Sequence, residues 1–152
     1  MKRPNVLAIH SIDHFAIEAP DLEEARRFYD AFGLDVRGEP GGLALYTLGN
    51  SHCWGRLFKG EAKRLHYICF GIYAEDEAAF SEHLNRCGVK RIDAPKGATS
   101  DGTWFEGFDG LPLNIRVAEK ATPSSKSSFN AKSTQAGESG AVFNSTAPKS
   151  HP

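Results

Sequence analysis

Apolar and polar positions alternate from residue 9 to residue 18. Ile9, Ser11, Asp13, Phe15 and Ile17 fall on one face and Ile12, His14 and Ala16 on the other, which is the period of a β-strand. Pro20 closes that strand. Asp21, with Glu24 three residues on, marks a capping-box-like helix start, and both carboxylates suit the positive end of a helix. From Leu22 the period changes: Leu22, Ala25, Phe28, Tyr29 and Phe32 recur at helical spacing, and Gly33 supplies a left-handed stop. The pattern predicts a helix that lays one apolar stripe on one sheet face.

Strands are predicted over Leu34 to Arg37, over Leu43 to Leu48 after the Gly38 to Gly42 turn, and over His52 to Phe58, where His52, Trp54, Arg56 and Phe58 share a face. A weaker version of the same order begins at Leu65. LHYICFGIY is apolar on both faces, as in a central strand, and a helix is expected from about Glu75 to Arg86, with Phe80, Leu84 and Cys87 aligned before Gly88. Val89 to Ile92 reads as a strand and residues 93 to 102 as a Pro- and Gly-containing loop. Thr103 to Phe108 and Leu111 to Val117 read as a hairpin across Asp109-Gly110. The expected fold is α+β, with two βαβββ modules at about 9–58 and 64–117 inside a domain of residues 1–117. From Ala118 to Pro152, Ser, Thr, Ala, Lys, Gly and Pro dominate. This composition predicts a disordered tail or interdomain linker, because it buries too little apolar surface to offset the entropy of ordering.

Composition narrows the chemistry. With 152 residues, 18 basic and 19 acidic side chains and a net charge of −1, the chain has room for one ordinary core. It has no basic footprint for nucleic acid or anionic membrane. No stretch approaches the roughly 20 apolar residues of a membrane span. Cys53, Cys69 and Cys87 contain no CxxC pair and read as buried free thiols in a reducing cytoplasm. No nucleophile elbow, phosphate loop or dinucleotide glycine fingerprint is present, and Asp21 and Glu24 read as caps rather than catalytic carboxylates.

Several blocks taken together carry a resemblance: Asp13-His14-Phe15-Ala16, Pro20-Asp21-Leu22, Arg27-Phe28-Tyr29, Phe32-Gly33-Leu34, His66, and Phe108-Asp109-Gly110-Leu111-Pro112-Leu113-Asn114-Ile115. They resemble the vicinal oxygen chelate superfamily of glyoxalases, bleomycin-resistance proteins and extradiol dioxygenases. The resemblance implies that the two modules form a curved mixed sheet around a concave cleft, with helices on the convex side. It places His14 and His66 where metal-binding members carry histidines, and Asn114 where they carry a glutamate. Two histidines and a carboxylate suit Fe(II) or a similar divalent ion, and a carboxamide removes the anionic ligand. Arg56 and Arg116 would add positive charge nearby. Trp54, Tyr46 and Trp104 either line a pocket for an aromatic ligand or pack in the core.

The resemblance is closest to the N-terminal half of a two-domain extradiol ring-cleavage dioxygenase, in which the family leaves the first domain metal-free and puts iron in the second. On that expectation this chain alone is a non-catalytic scaffold that holds no cofactor. Fe(II) or another divalent metal serves the whole enzyme, and the partner is a second vicinal oxygen chelate domain or another copy of the chain. Two alternatives remain open: a stand-alone glyoxalase-type metal enzyme using His14 and His66, and a metal-free protein that binds a small aromatic molecule in the cleft.

Overall fold

A computed structural model of the protein describes residues 4–121; the tail predicted from residue 118 lies outside the described residues from 122 onward. The elements are β1 (Ser11–Ala19), α1 (Leu22–Phe32), β2 (Asp35–Glu39), β3 (Gly42–Tyr46), β4 (Cys53–Lys59) and β5 (Arg64–Ile72). A 3₁₀ turn (Ala74–Asp76) leads into α2 (Glu77–Arg86), followed by β6 (Thr103–Glu106) and β7 (Pro112–Val117). All seven strands join one mixed sheet in the order β2-β3-β4-β1-β5-β7-β6. In each half the first strand pairs parallel with the last, β1 with β4 and β5 with β7. The halves meet where β1 and β5 run antiparallel. This is the expected α+β repeat.

Local chemistry explains the ends of α1. The Asp21 carboxylate accepts the backbone N–H groups of Glu23 and Glu24 at 2.9 and 3.0 Å, satisfying two donors that the first helical turn leaves free. Gly33 closes the helix at φ 99°, a conformation that costs a residue with a Cβ far more than glycine. Glu24 does not complete a reciprocal box; its carboxylate reaches Lys63 at 3.6 Å.

Two core layers form beneath the helices. Leu43, Leu45 and Leu57 pack under Leu22, Ala25 and Tyr29 of α1, while Ile72, Phe105 and Ile115 pack against Phe80 and Leu84 of α2. Each such side chain contributes about 1.5–3 kcal/mol when fully buried. A third cluster, Ala16, Tyr67, Cys69 and Trp104, lies on the opposite face, since the register sets Ala16 beside Tyr67 and Cys69 beside Asn114 and Trp104.

Four expectations need correction. Phe28 and Phe32 do not join the buried stripe; they are 62% and 74% exposed. At 100° per residue they fall toward one edge of the arc marked by Leu22, Ala25 and Tyr29. Val89 to Ile92 forms a single bridge, Arg91 with Phe105, rather than a strand, because the chain leaves the edge of β6 at Asp93 and turns through Pro95 and Gly97. Cys87 is exposed and Cys53 only half-buried, so Cys69 alone is the buried thiol. Finally, β1 does not alternate strictly: its register against β5 shifts between Ile12 and His14 and again between Ala16 and Ile17.

Candidate functional site

The concave face offers the positions singled out by sequence, and the two register shifts decide how they are aimed. The bulge at Asp13 removes one step of alternation, so Asp13 and His14, neighbours in sequence, turn to the same side. His14 Nδ1 lies 2.7 Å from Asp13 Oδ2. The second shift leaves His66 as the extra residue of β5, beside Glu18, with Nδ1 3.4 Å from Glu18 Oε1. Each histidine is therefore paired with a carboxylate of β1. Both rings pack against Tyr67, His14 edge-on at 5.7 Å and His66 at 5.3 Å between centroids.

Part of the predicted cleft is filled. Ile92, Ala94 and Ala98 fold over Tyr67, Cys69 and Trp104, and three side chains of the sheet hold that loop by its carbonyls. His66 Nε2 donates to Lys96 O at 3.0 Å, Trp104 Nε1 to Thr99 O at 2.9 Å and Asn114 Nδ2 to Asp101 O at 2.9 Å. Arg116 adds a contact to Asp101 Oδ2 at 3.3 Å. Asn114 is 1% exposed; its Oδ1 and the Nε of Arg116 are buried without a hydrogen-bond partner. Trp104, left open between ligand pocket and core, is core.

The remaining candidates line the first module. Arg56 approaches Glu39 at 3.5 Å, and the Arg37 guanidinium stacks over Tyr46 at 4.0 Å from its ring centroid. Trp54 packs against His52 at 4.4 Å, and the indole N–H of Trp54 is buried without a hydrogen-bond partner. His52 Nε2 in turn donates to Asp13 O at 2.6 Å.

Electrostatics follow this geometry. Burial alone would raise the Asp13 carboxyl, but the hydrogen bond from His14 and the charges of His14, Arg116 and His52 hold it below the usual carboxylate range. Arg64 holds Glu18 low as well. Burial pushes the Tyr67 phenol and the Cys69 thiol up to about 12, so both stay neutral near pH 7.

The donor set does not fit a divalent ion. Both ring nitrogens of His66 face oxygen atoms, so neither presents a lone pair outward. His14 directs one nitrogen at Asp13, and Asn114 supplies a neutral amide committed to Asp101. Among the described residues no group of three His, Cys, Asp or Glu side chains could hold a metal. Sequence reasoning gave no role to Asp13, Glu18, Tyr67 or the loop carbonyls of Lys96, Thr99 and Asp101 that accept from His66, Trp104 and Asn114. The adjacency of Asp13 to His14 was the one visible signal for any of them.

Comparison with known proteins places this arrangement. The chain is 39% identical over 138 residues to metapyrocatechase 2 of Cupriavidus necator, a match that covers 91% of this chain and 43% of that protein. Its fold matches a halotolerant catechol dioxygenase (TM-score 0.63, 17% identity, 78% of this chain and 42% of the other). These matches support the resemblance to the vicinal oxygen chelate superfamily. The chain also shares its fold with 2,2',3-trihydroxybiphenyl 1,2-dioxygenase of Sphingomonas wittichii strain RW1 (TM-score 0.60, 21% identity, 78% and 44% covered). The Mn(II)-bound glyoxalase of Novosphingobium aromaticivorans is a further neighbour (TM-score 0.59, 19% identity, 76% and 43% covered). No family model matches the chain. The chain thus spans less than half the length of these proteins. Among the described residues no helix is long and apolar enough to cross a membrane.

Proposed function

We propose that this domain is the metal-free N-terminal half of an extradiol, catechol-type ring-cleavage dioxygenase of the cytoplasm, supporting rather than performing the chemistry. The observation that carries the reading is the match to metapyrocatechase 2, 39% identical over 91% of this chain but only 43% of the relative. Fe(II) or another divalent ion, which polarises and orients a chelating substrate and oxygen, belongs on this reading to the second domain, along with the aromatic substrate.

The residues of this half have structural work instead. The Asp13–His14 and Glu18–His66 pairs keep polar groups of the central strands satisfied, and the loop donors close the cleft over Tyr67 and Trp104. The test is anaerobic loading of the chain with Fe(II), followed by addition of a catechol and oxygen. No ring-cleavage product and no stoichiometric iron are expected. Turnover by this chain alone would overturn the reading and favour a stand-alone metal enzyme.

A further inference from the structure

At the start of β1 a serine hydroxyl is held against a histidine whose tautomer is fixed. His10 Nε2 lies 2.9 Å from the carbonyl oxygen of Ala118; a carbonyl only accepts, so Nε2 carries the proton. In the neutral ring Nδ1 then presents a lone pair. Ser11 Oγ lies 2.7 Å from Nδ1, so the hydroxyl donates to it. The ring is also fixed from its sides. A Cβ on Gly71 would stand 2.7 Å from His10 Cε1, and the Tyr73 ring packs on His10 at 4.7 Å between centroids. A nucleophile, a base within hydrogen-bond reach and a third group orienting that base form the arrangement that activates a serine.

The surroundings give this pair access and charge. Both His10 and Ser11 are half-buried rather than buried. Ser11 stands opposite Gly71, and Gly71 opposite Arg116, so hydroxyl and guanidinium rise from one rung on one face, roughly 10 Å apart at the backbone across two strand spacings. Arg116 meets Asp101 Oδ2 through Nη2 at 3.3 Å, while its Nε has no hydrogen-bond partner. A polar cavity of about 520 Å³ lies at the same end of the sheet, lined by residues 49–52 ahead of β4 and 119–121 after β7. In the order β4-β1-β5-β7, the start of β1 falls between those two linings.

We propose that Ser11 is a nucleophile activated by His10, and that it takes the acyl group of small, activated esters without a metal. Ser11 Oγ bonds the ester carbonyl carbon as its proton passes to His10 Nδ1. The bond from that carbon to the leaving oxygen then breaks, and the departing alcohol takes the proton from Nδ1. Water repeats both steps on the acylated Ser11 and releases the carboxylic acid. Throughout, the Nε2–H stays on Ala118 O, which steadies the imidazolium formed in between. The polar lining of the cavity, with His52, Glu119 and Lys120, suits short polar acyl groups rather than long aliphatic ones. The inference stands apart from the ring-cleavage reading, which uses neither His10 nor Ser11.

Two probes on the 152-residue chain test it: a fluorophosphonate, which Ser11 Oγ would attack with loss of fluoride, and p-nitrophenyl acetate. Peptide mass mapping is expected to find the phosphonyl group on Ser11. Release of p-nitrophenol should fall about 100-fold in Ser11→Ala and in His10→Gln, with circular dichroism and thermal midpoint showing that each variant folds. His83→Gln, at a histidine far from this end of the sheet, should change neither readout. Gly71→Ala, which crowds His10 Cε1, should slow labelling of an unaltered Ser11, an effect that a serine reactive through exposure alone would not show. It carries the same readout should His10→Gln fail to fold. A chain that stays unlabelled at Ser11, or that labels there equally fast in the folded His10 or Gly71 variant, overturns the proposal.

Discussion

Asp13 and His14 are consecutive residues of one strand, yet their side chains meet, Oδ2 to Nδ1, at 2.7 Å. A regular strand would hold them on opposite faces. The bulge that brings them together also commits one ring nitrogen of His14 to the Asp13 carboxylate.

Acid should expose this arrangement. Asp13 and Glu18 have folded-state values held below their ordinary range, so the stability they contribute is present above the unfolded carboxylate values, near 4, and is lost as pH falls through the lower folded values. Urea midpoints measured from pH 7 down to about 3 should fall for the wild type. Asp13→Asn, which cannot titrate, should show a shallower fall together with a loss of about 1–2 kcal/mol at neutral pH.

At high pH the sign reverses. Tyr67 and Cys69 are raised to about 12, so the unfolded chain releases their protons first, near pH 9 to 10. Stability should be intact below that range and decline from there toward pH 12. Cys69→Ala should remove part of the decline in alkaline urea titrations.

Thiol reactivity separates the three cysteines. Cys87, exposed beside His83, should react with a disulfide reagent in the native protein at once, and buried Cys69 only at the rate of unfolding. Mass mapping of the labelled peptides gives the order. Rapid native labelling of Cys69 would contradict the closed cleft.

The loop over the cleft should loosen when its donor is removed. Asn114→Ala deletes the bond to Asp101 O and leaves a cavity, so a loss of about 2–3 kcal/mol is expected. Hydrogen exchange should quicken selectively across residues 93 to 102. An unchanged exchange pattern there would show that Trp104 and His66 hold the loop without it.

The helix start offers a simpler check. Asp21→Ala should cost about 1 kcal/mol and Asp21→Asn much less, read as shifts in thermal midpoint.

Much of this protein was legible along the chain. The change of period at Leu22, the Asp21 cap, the Gly33 stop and the turn at Asp109-Gly110 are local signals, and each element forms where its own residues direct it. The order of strand, helix and glycine stop in each half followed from the same periodicities, whereas the placing of His14 and Asn114 on the concave face was implied only by the family resemblance of the residue blocks around them. What tertiary structure alone decided rests on long-range contact. The two register shifts between β1 and β5 pair His14 and His66 with acids, the loop after Ile92 closes over Trp104, and Phe28 and Phe32 stay exposed instead of buried. Local periodicity records which side of a strand or helix a residue prefers. It carries no account of the single extra residue that reverses a strand face, or of how far a loop 30 residues away reaches to accept a histidine's hydrogen bond.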